Sequence, residues 1–183
     1  VGQVKAGKSS FLNSLFFNGE NVLPRASTPM TAGLTVLKYG DENKFEVEYY
    51  NKREWATFED KAKEYDDIIE CYRADNPSLS DSDIANMANI DATIKAAAEL
   101  VKSCGRNARS KIADTSLKES REFSDISDLQ EILETYVGAN GSLTPIVKSL
   151  TISLNDERLR DIQIVDTPGV NDPVLSREIR TRE

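Results

Sequence analysis

Residues 2–9 follow the pattern G-x-x-x-x-G-K-S, which combines residue types suited to binding a nucleotide phosphate. Glycines leave main-chain N–H groups open to a phosphate, because no side chain blocks the approach. Lys8 supplies a positive charge for the β- and γ-phosphates, and the hydroxyl of Ser9 is an oxygen ligand that Mg²⁺ accepts. The pattern therefore predicts binding of a nucleoside triphosphate, with hydrolysis as the expected chemistry.

A helix is expected to follow this loop and to hold it in place. Apolar residues occur at positions 11, 12, 15 and 16, a spacing that puts them on one helix face, which can pack against a sheet. A loop at the N-terminus of such a helix also gains from the positive end of the helix dipole. Loop and helix together favour a nucleotide site over an ordinary turn.

A second candidate element is the D-x-x-G sequence at residues 166–169, which follows the apolar segment 162–165. The Asp166 carboxylate can bind a water of the Mg²⁺ shell, while the Gly169 N–H can face the γ-phosphate. Taken alone, this sequence is equally typical of a turn. Because it ends an apolar strand and comes after a phosphate loop, we interpret it as a second phosphate-and-metal element.

Between the two motifs, residues 22–33 are rich in Pro, Ser, Thr and Gly, which predicts a long loop. A nucleotide-dependent switch needs a threonine here, with its hydroxyl on Mg²⁺ and its carbonyl orienting the attacking water. Thr28 and Thr31 both qualify on chemistry. A loop held only by γ-phosphate and metal contacts is released on hydrolysis, so it would report the nucleotide state.

The composition of the chain excludes several classes of partner, catalytic mechanism and metal site. The net charge of −8 and the pI of about 4.8 argue against binding to nucleic acid or to anionic lipid. The chain has no histidine and its two cysteines lack C-x-x-C spacing, which excludes Ser-His catalysis and disfavours zinc. Cys71 and Cys104 are expected to be buried or half-buried thiols. No apolar stretch is long enough to span a bilayer, so a cytoplasmic protein is expected.

Both ends of the chain contain segments of strand composition. Segments 34–40 and 45–50, separated by turn residues, predict one antiparallel hairpin. Segments 147–154 and 160–165 predict a second hairpin. The strand that ends at Val165 should lie near the loop that precedes the first helix.

Residues 54–145, between the hairpins, predict a helical insertion. Three helices are expected, from Glu54 to about Arg73, from the capping sequence 80–83 to Gly105, and from Ser127 to Gly138. Residues 106–125 are polar and charged, which predicts a mobile link or a solvent-facing helix. Met87 and the aromatic residues of the insertion, including Tyr72, are assigned to packing.

Three segments resemble the N-terminal GTPase portion of bacterial dynamin-like proteins, in the dynamin superfamily. They are residues 2–13, the sequence Leu23-Pro24-Arg25 leading to residues 29–32, and residues 166–173. The resemblance implies an α/β P-loop GTPase with a central mixed, mostly parallel sheet flanked by helices and a long helical insertion. Residues 1–183 would form a partial GTPase domain, divided into 1–50, 54–145 and 146–183, that lacks its first strand and its C-terminal part.

The same resemblance implies the roles of individual residues, with Mg²⁺ and GTP or GDP as the ligands. The nucleotide contacts are Gly2, Gln3, Val4, Lys5, Ala6, Gly7, Lys8, Ser9, Ser10 and Gly169. The metal ligands are Ser9, Thr31 and Asp166, and the catalytic residues are Lys8, Thr31 and Lys5. Thr31 is preferred over Thr28 because Leu23-Pro24-Arg25 sets the loop register.

Two features depart from the family pattern. In eukaryotic dynamins, the positions that match Val4 and Lys5 are a glutamine and a serine that help organise the catalytic water. Lys5 could supply transition-state charge in their place, or it could be a surface lysine. The guanine-reading [NT]-K-x-D motif is not found up to Glu183, so guanine specificity rests on the resemblance.

The family further implies that hydrolysis is stimulated when two GTPase domains meet across their nucleotide faces, in a homodimer or with a related dynamin-like subunit. Membrane lipid would be bound by regions outside this segment, which places the protein in the cytoplasm or peripherally at a membrane. Nucleic acid is not an expected partner. Two alternatives stay open: a P-loop ATPase or small-molecule kinase, and a slow nucleotide-binding scaffold.

Overall fold

The computed structural model describes residues 13–17, 19–20, 22, 34–138 and 140–166. Within these residues, five strands form one mixed sheet: β1 (Leu34–Tyr39), β2 (Lys44–Tyr49), β3 (Lys118–Glu122), β4 (Val147–Leu154) and β5 (Ile164–Asp166). Their order is β3-β2-β4-β1-β5, with β1 and β4 parallel and the other neighbours antiparallel. The mixed sheet agrees with the expected fold class, although parallel pairs do not predominate among the described strands.

The strands pair differently from the two predicted hairpins. β4 lies between β1 and β2, and β1 lies between β4 and β5, so both hairpin predictions are wrong although the strands exist. The reason is burial, since Leu150 and Ile152 of β4 are 0% exposed and such an apolar strand is best buried inside the sheet. Gly40 lets the chain leave β1 close to β4, because a Cβ atom there would lie 2.7 Å from the Cβ of Ser153.

The described helices are α1 (Lys52–Asp75), α2 (Asp81–Met87), α3 (Ala92–Ser103), α4 (Arg106–Arg109) and α5 (Ile126–Val137), and residues 13–16 are also helical. α1 begins with a capping box: the Asn51 side chain accepts from the Glu54 N–H at 2.9 Å, and the Glu54 carboxylate accepts from the Asn51 N–H at 3.0 Å. α5 matches the third predicted helix, with Asp125 rather than Ser127 as its N-cap and Gly138 at its end. Within the part of the chain that the structure describes, no helix is long and apolar enough to cross a membrane.

The single long helix predicted between Ser80 and Gly105 is wrong, because the chain forms α2 and α3 with a break between them. At the break, Asn89 has a φ of 49°, in the left-handed region that asparagine tolerates better than most residues. Asp91 then opens α3, since its carboxylate accepts from the Thr93 N–H at 2.8 Å. Local capping therefore interrupts an apolar period that continues through both helices.

Residues 106–125 contain α4 and β3, so the predicted mobile link or solvent-facing helix is also wrong. β3 has the sequence KESRE and pairs with β2 in antiparallel register. An edge strand that is exposed at all but one of its five residues needs no alternation of apolar residues, and its charges discourage pairing with another chain. This strand therefore had no apolar pattern by which to recognise it. The last strand, β5, begins later than predicted because the turn that starts with the 3-10 segment Glu157–Leu159 continues beyond it, the Ile162 N–H donating to the Leu159 carbonyl at 3.2 Å.

Buried apolar residues form two clusters. The main cluster packs the sheet, α5 and the first half of α1, and it includes Tyr49, Trp55 and Leu150. The second, smaller cluster is built from the far half of α1, α2 and the start of α3. Its buried members are Ile69, Ile84, Ala85 and Ile90. We call residues 65–94, which surround this second cluster, the arm tip.

Some packing predictions for the helices fail. Met87 is 49% exposed and Tyr72 is 41% exposed, so neither is a core residue. Cys71 is exposed, which contradicts the expectation of a buried or half-buried thiol, whereas Cys104 is half-buried as expected. Burial raises the pKa of the Cys104 thiol, which lowers its reactivity at neutral pH.

Candidate functional site

The start of β1 and the end of β5 lie side by side. The two strands are antiparallel, with Thr35 opposite Asp166 and Leu37 opposite Ile164. Thr31 lies three positions before β1 in the sequence, and the D-x-x-G sequence begins at the last residue of β5. Because the chain from Thr31 to Thr35 can span at most about 14 Å, this register tethers both predicted metal-binding segments to one end of the sheet.

Most predicted site residues lie outside the described residues, and their roles stay predictions. They are Gly2, Gln3, Val4, Lys5, Ala6, Gly7, Lys8, Ser9, Ser10, Thr28, Thr31 and Gly169. Asp166 is described as a strand residue, without its side chain. The predicted ligands are two hydroxyls and a carboxylate, a hard oxygen set that fits Mg²⁺. Among the described residues, no group of three or more His, Cys, Asp or Glu offers a competing metal site.

The segment that follows the predicted phosphate loop ends against the main cluster. Phe16 and Phe17 are buried there, whereas Leu15 is 38% exposed and does not share the buried face that its spacing predicts. The backbone closes behind the helical residues, because the N–H of Gly19, at a φ of 83°, donates to the Asn13 carbonyl at 2.9 Å. The described end of this helix is therefore anchored on the core.

Two arginines in the turn before β5 reach toward β1 and toward this helix end. The Arg158 guanidinium lies 5.0 Å from the centre of the Phe16 ring, and the Arg160 guanidinium lies 4.9 Å from that of Tyr39. The sequence predicted a hairpin between segments 147–154 and 160–165 here, with Arg160 at the start of its second strand and no role for either arginine. The acidic and basic residues that adjoin one another over positions 156–160 were the available signal for a set of ion pairs.

A polar network holds the opposite edge of the sheet. Glu119 on β3 accepts hydrogen bonds from the hydroxyls of Tyr49 at 2.9 Å and Tyr136 at 3.3 Å, and from Lys111 at 2.5 Å. Burial acts to raise the pKa of Glu119, but these hydrogen bonds hold it below its ordinary value. Burial and the bond to Glu119 raise the pKa of Tyr49 well above its ordinary value. This network joins β2, β3 and α5, and we assign it a structural role.

Comparison with known proteins decides the family. Residues 1–180 match the family model described as the Dynamin family. The chain belongs to the dynamin family. The predicted resemblance is thereby confirmed, together with the fold class and the assignment to a family of GTP-hydrolysing enzymes.

Two curated relatives of this dynamin-family chain are bacterial. It is 30% identical over 184 residues to Dynamin-like protein 1 of Campylobacter jejuni, covering 100% of the chain and 20% of the relative. Over 49 residues it is 51% identical to a bacterial dynamin-like protein of Nostoc punctiforme, covering 27% of the chain and 7% of the relative. The chain thus spans about a fifth of the length of the first relative.

A solved structure with a similar fold is described as an oligomerised bacterial dynamin pair that provides a mechanism for the long-range sensing and tethering of membranes. The TM-score is 0.57 at 25% sequence identity, and the match covers 99% of this chain and 20% of that one. The mixed sheet and its flanking helices therefore have the architecture of a bacterial dynamin GTPase domain.

Proposed function

We propose that this chain binds GTP and hydrolyses it with Mg²⁺, as the nucleotide-binding part of a bacterial dynamin-like protein. The observation that supports this most directly is the pairing of Thr35 with Asp166, which tethers the switch loop and the D-x-x-G sequence to one end of the sheet. The phosphate-loop sequence at residues 2–9 is the third element of the proposed site. The family match supports guanine as the base.

In this proposal, the backbone N–H groups of residues 2–10 cradle the phosphates, and Lys8 stabilises the charge that develops during transfer. The Thr31 carbonyl orients the attacking water, and the Gly169 N–H contacts the γ-phosphate. When bound, Mg²⁺ would supply positive charge that offsets the negative charge of the phosphates. The residues that would hold it are Ser9, Thr31 and Asp166.

Two lysines of the same loop provide the test. We expect Lys8→Ala in the full-length protein to lower the rate of phosphate release from GTP by roughly a hundredfold, because an electrostatic contact made in the transition state is lost. Lys5→Ala is the matched variant: a fall in kcat with unchanged KM supports a catalytic role, and an unchanged kcat makes Lys5 a surface residue. If Lys8→Ala hydrolyses GTP as fast as the wild type, the proposal fails. Tighter binding of ATP than of GTP in competition would instead indicate an ATPase or kinase.

We further propose that hydrolysis is coupled to self-association and to membranes. The similar structure is that of an oligomerised pair described as tethering membranes, which supports pairing with a second copy or a related dynamin-like subunit. Lipid contact would fall to regions outside this segment, and the protein would be cytoplasmic or peripheral at a membrane. Single-turnover hydrolysis should accelerate on forced dimerisation. A slow rate that dimerisation does not change would favour the scaffold alternative.

A further inference from the structure

The turn before β5 is bonded to the end of the helix that follows the phosphate loop. The last carbonyls of a helix lack intrahelical partners, and one of them, the carbonyl of Leu15, accepts a hydrogen bond from Nη1 of Arg158. The same guanidinium lies 5.0 Å from the ring centre of Phe16, which is 8% exposed and belongs to the main cluster. A cation at this end of a helix is also favoured by the helix dipole.

A carboxylate of the same turn fixes the orientation of the Arg158 guanidinium. Asp156 accepts from its Nε at 2.9 Å through Oδ1 and from its Nη2 at 2.5 Å through Oδ2. This two-point pairing fixes the plane of the guanidinium, which a lysine could not reproduce. The Asp156 carboxylate also accepts from the backbone N–H of Arg158 at 3.0 Å and so caps the 3-10 turn. The contact therefore joins two ordered backbone segments.

Both segments lead to predicted metal ligands. The helix end follows Ser9 in the chain, and the turn leads through β5 to Asp166 at the other end of that strand. We infer that Arg158 is a positioning residue that fixes the distal end of the phosphate-loop helix relative to β5, and thereby sets the position of Ser9 relative to Asp166. This inference rests on the proposed function, because it gives both residues a role at Mg²⁺.

The chain contains a matched control. Arg160 belongs to the same turn, is 56% exposed against 53% for Arg158, and pairs with Glu157 as Arg158 pairs with Asp156. It also stacks on an aromatic ring, but that ring is Tyr39 of β1. The two arginines therefore differ mainly in whether they contact the helix end.

The first measurement uses the nucleotide-free full-length protein. In hydrogen exchange, Arg158→Ala should speed exchange by about threefold or more in peptides covering residues 13–20, because the helix end loses its partner. Arg160→Ala should leave those peptides unchanged. Arg158→Lys should fall between the wild type and Arg158→Ala, and it replaces the alanine variant if that variant does not fold. Equal exchange in the Arg158 and Arg160 variants overturns the inference.

The second measurement connects this contact to the nucleotide site. The affinity for a fluorescent, non-hydrolysable GTP analogue is titrated at several Mg²⁺ concentrations. Arg158→Ala should raise the Mg²⁺ concentration needed for half-maximal binding by about three- to tenfold, in the range that a charge at a helix end can supply. Arg160→Ala should not. Equal values for the two variants overturn the inference even if the wild type hydrolyses GTP. Equal hydrolysis by the wild type and Lys8→Ala overturns the proposed function instead.

Discussion

The sheet region, meaning the five described strands with α5, is held by contacts between parts of the chain that are more than a hundred positions apart, whereas the contacts of the arm tip join positions that are closer in the sequence, 37 apart for Lys102 and Tyr65. In the sheet region, the Asn155 N–H donates to the side chain of Asn43, 112 positions away. In the arm tip, Arg73 pairs with Asp81 eight positions further on, and Lys95 donates to Asn86, nine positions before it. We therefore expect the sheet region to form only as a whole and the arm tip to open and close locally.

The largest expected effect is in the sheet region. Leu150→Ala at the centre of β4 should lower the free energy of unfolding by about 2 to 5 kcal/mol, because truncation of a fully buried leucine leaves a cavity that the surrounding core fills only in part. Denaturant unfolding measures the change. A loss below about 1 kcal/mol would show that β4 is not the centre of the cooperative unit.

Ile84→Ala is the matched substitution in the arm tip, because Ile84 is also 0% exposed. It should speed hydrogen exchange in residues 65–94 while shifting the global unfolding midpoint far less than Leu150→Ala does, since the arm tip opens separately. If both substitutions lower the global midpoint equally, the two regions unfold as one unit and the contrast is wrong.

The next effect concerns the N-terminus of α1, where this helix leaves the sheet region. Asn51→Ala should cost about 1 kcal/mol, because the capping box loses its acceptor for the Glu54 N–H. Asn51→Ser keeps a capping oxygen and should recover most of the loss. Thermal unfolding of the three proteins checks this order. An alanine variant as stable as the wild type would mean that packing alone positions α1.

A smaller, pH-dependent effect is expected at the polar network of β3. The pKa of Glu119 lies below its ordinary value of 4.5, so its stabilising contribution is present above that pH and is lost as the pH falls further. Glu119→Gln should therefore lower stability at neutral pH by about 1 kcal/mol or less, since solvent screens this partly exposed group. Glu119→Gln should also make the free energy of unfolding less dependent on pH in the acid range. Glu122 is exposed on the same strand, and Glu122→Gln is the control. It should change neither the stability at neutral pH nor the pH dependence of stability.

The smallest effect is expected for a surface ion pair between α1 and α3. Lys102 lies 3.3 Å from the Asp66 carboxylate, and both side chains are more than half exposed. Lys102→Gln should cost about 0.5 kcal/mol or less, and the cost should shrink in high salt. A double-mutant cycle with Asp66→Asn isolates the pair. A coupling energy above about 1 kcal/mol would mean that this ion pair contributes more to the packing of α1 on α3 than a surface pair should.

Sequence patterns predicted which segments form strands and helices better than they predicted which strands lie side by side. The strands β1, β2 and β4 and the helices α1 and α5 were predicted from periodicity and caps, because those signals are local. The pairing of β1 with β4 was missed because turn residues show that a chain turns, and do not show which strand lies beside it. The strand β3 was missed because its polar sequence gains its partner only from the free edge of β2.

At the candidate site, the phosphate loop, Thr31 and Asp166 were recognisable because the chemistry predicted for each requires particular residue types at fixed spacing. The contact of Arg158 with the helix end was not recognisable, since its partners lie at positions 15 and 16 and no local pattern connects them. What the amino-acid sequence by itself determined is the family, the element types and the identity of the candidate chemical groups. Only the tertiary structure decided which strands are neighbours and that the start of β1 lies beside Asp166, because these pairings depend on burying apolar surface between distant segments.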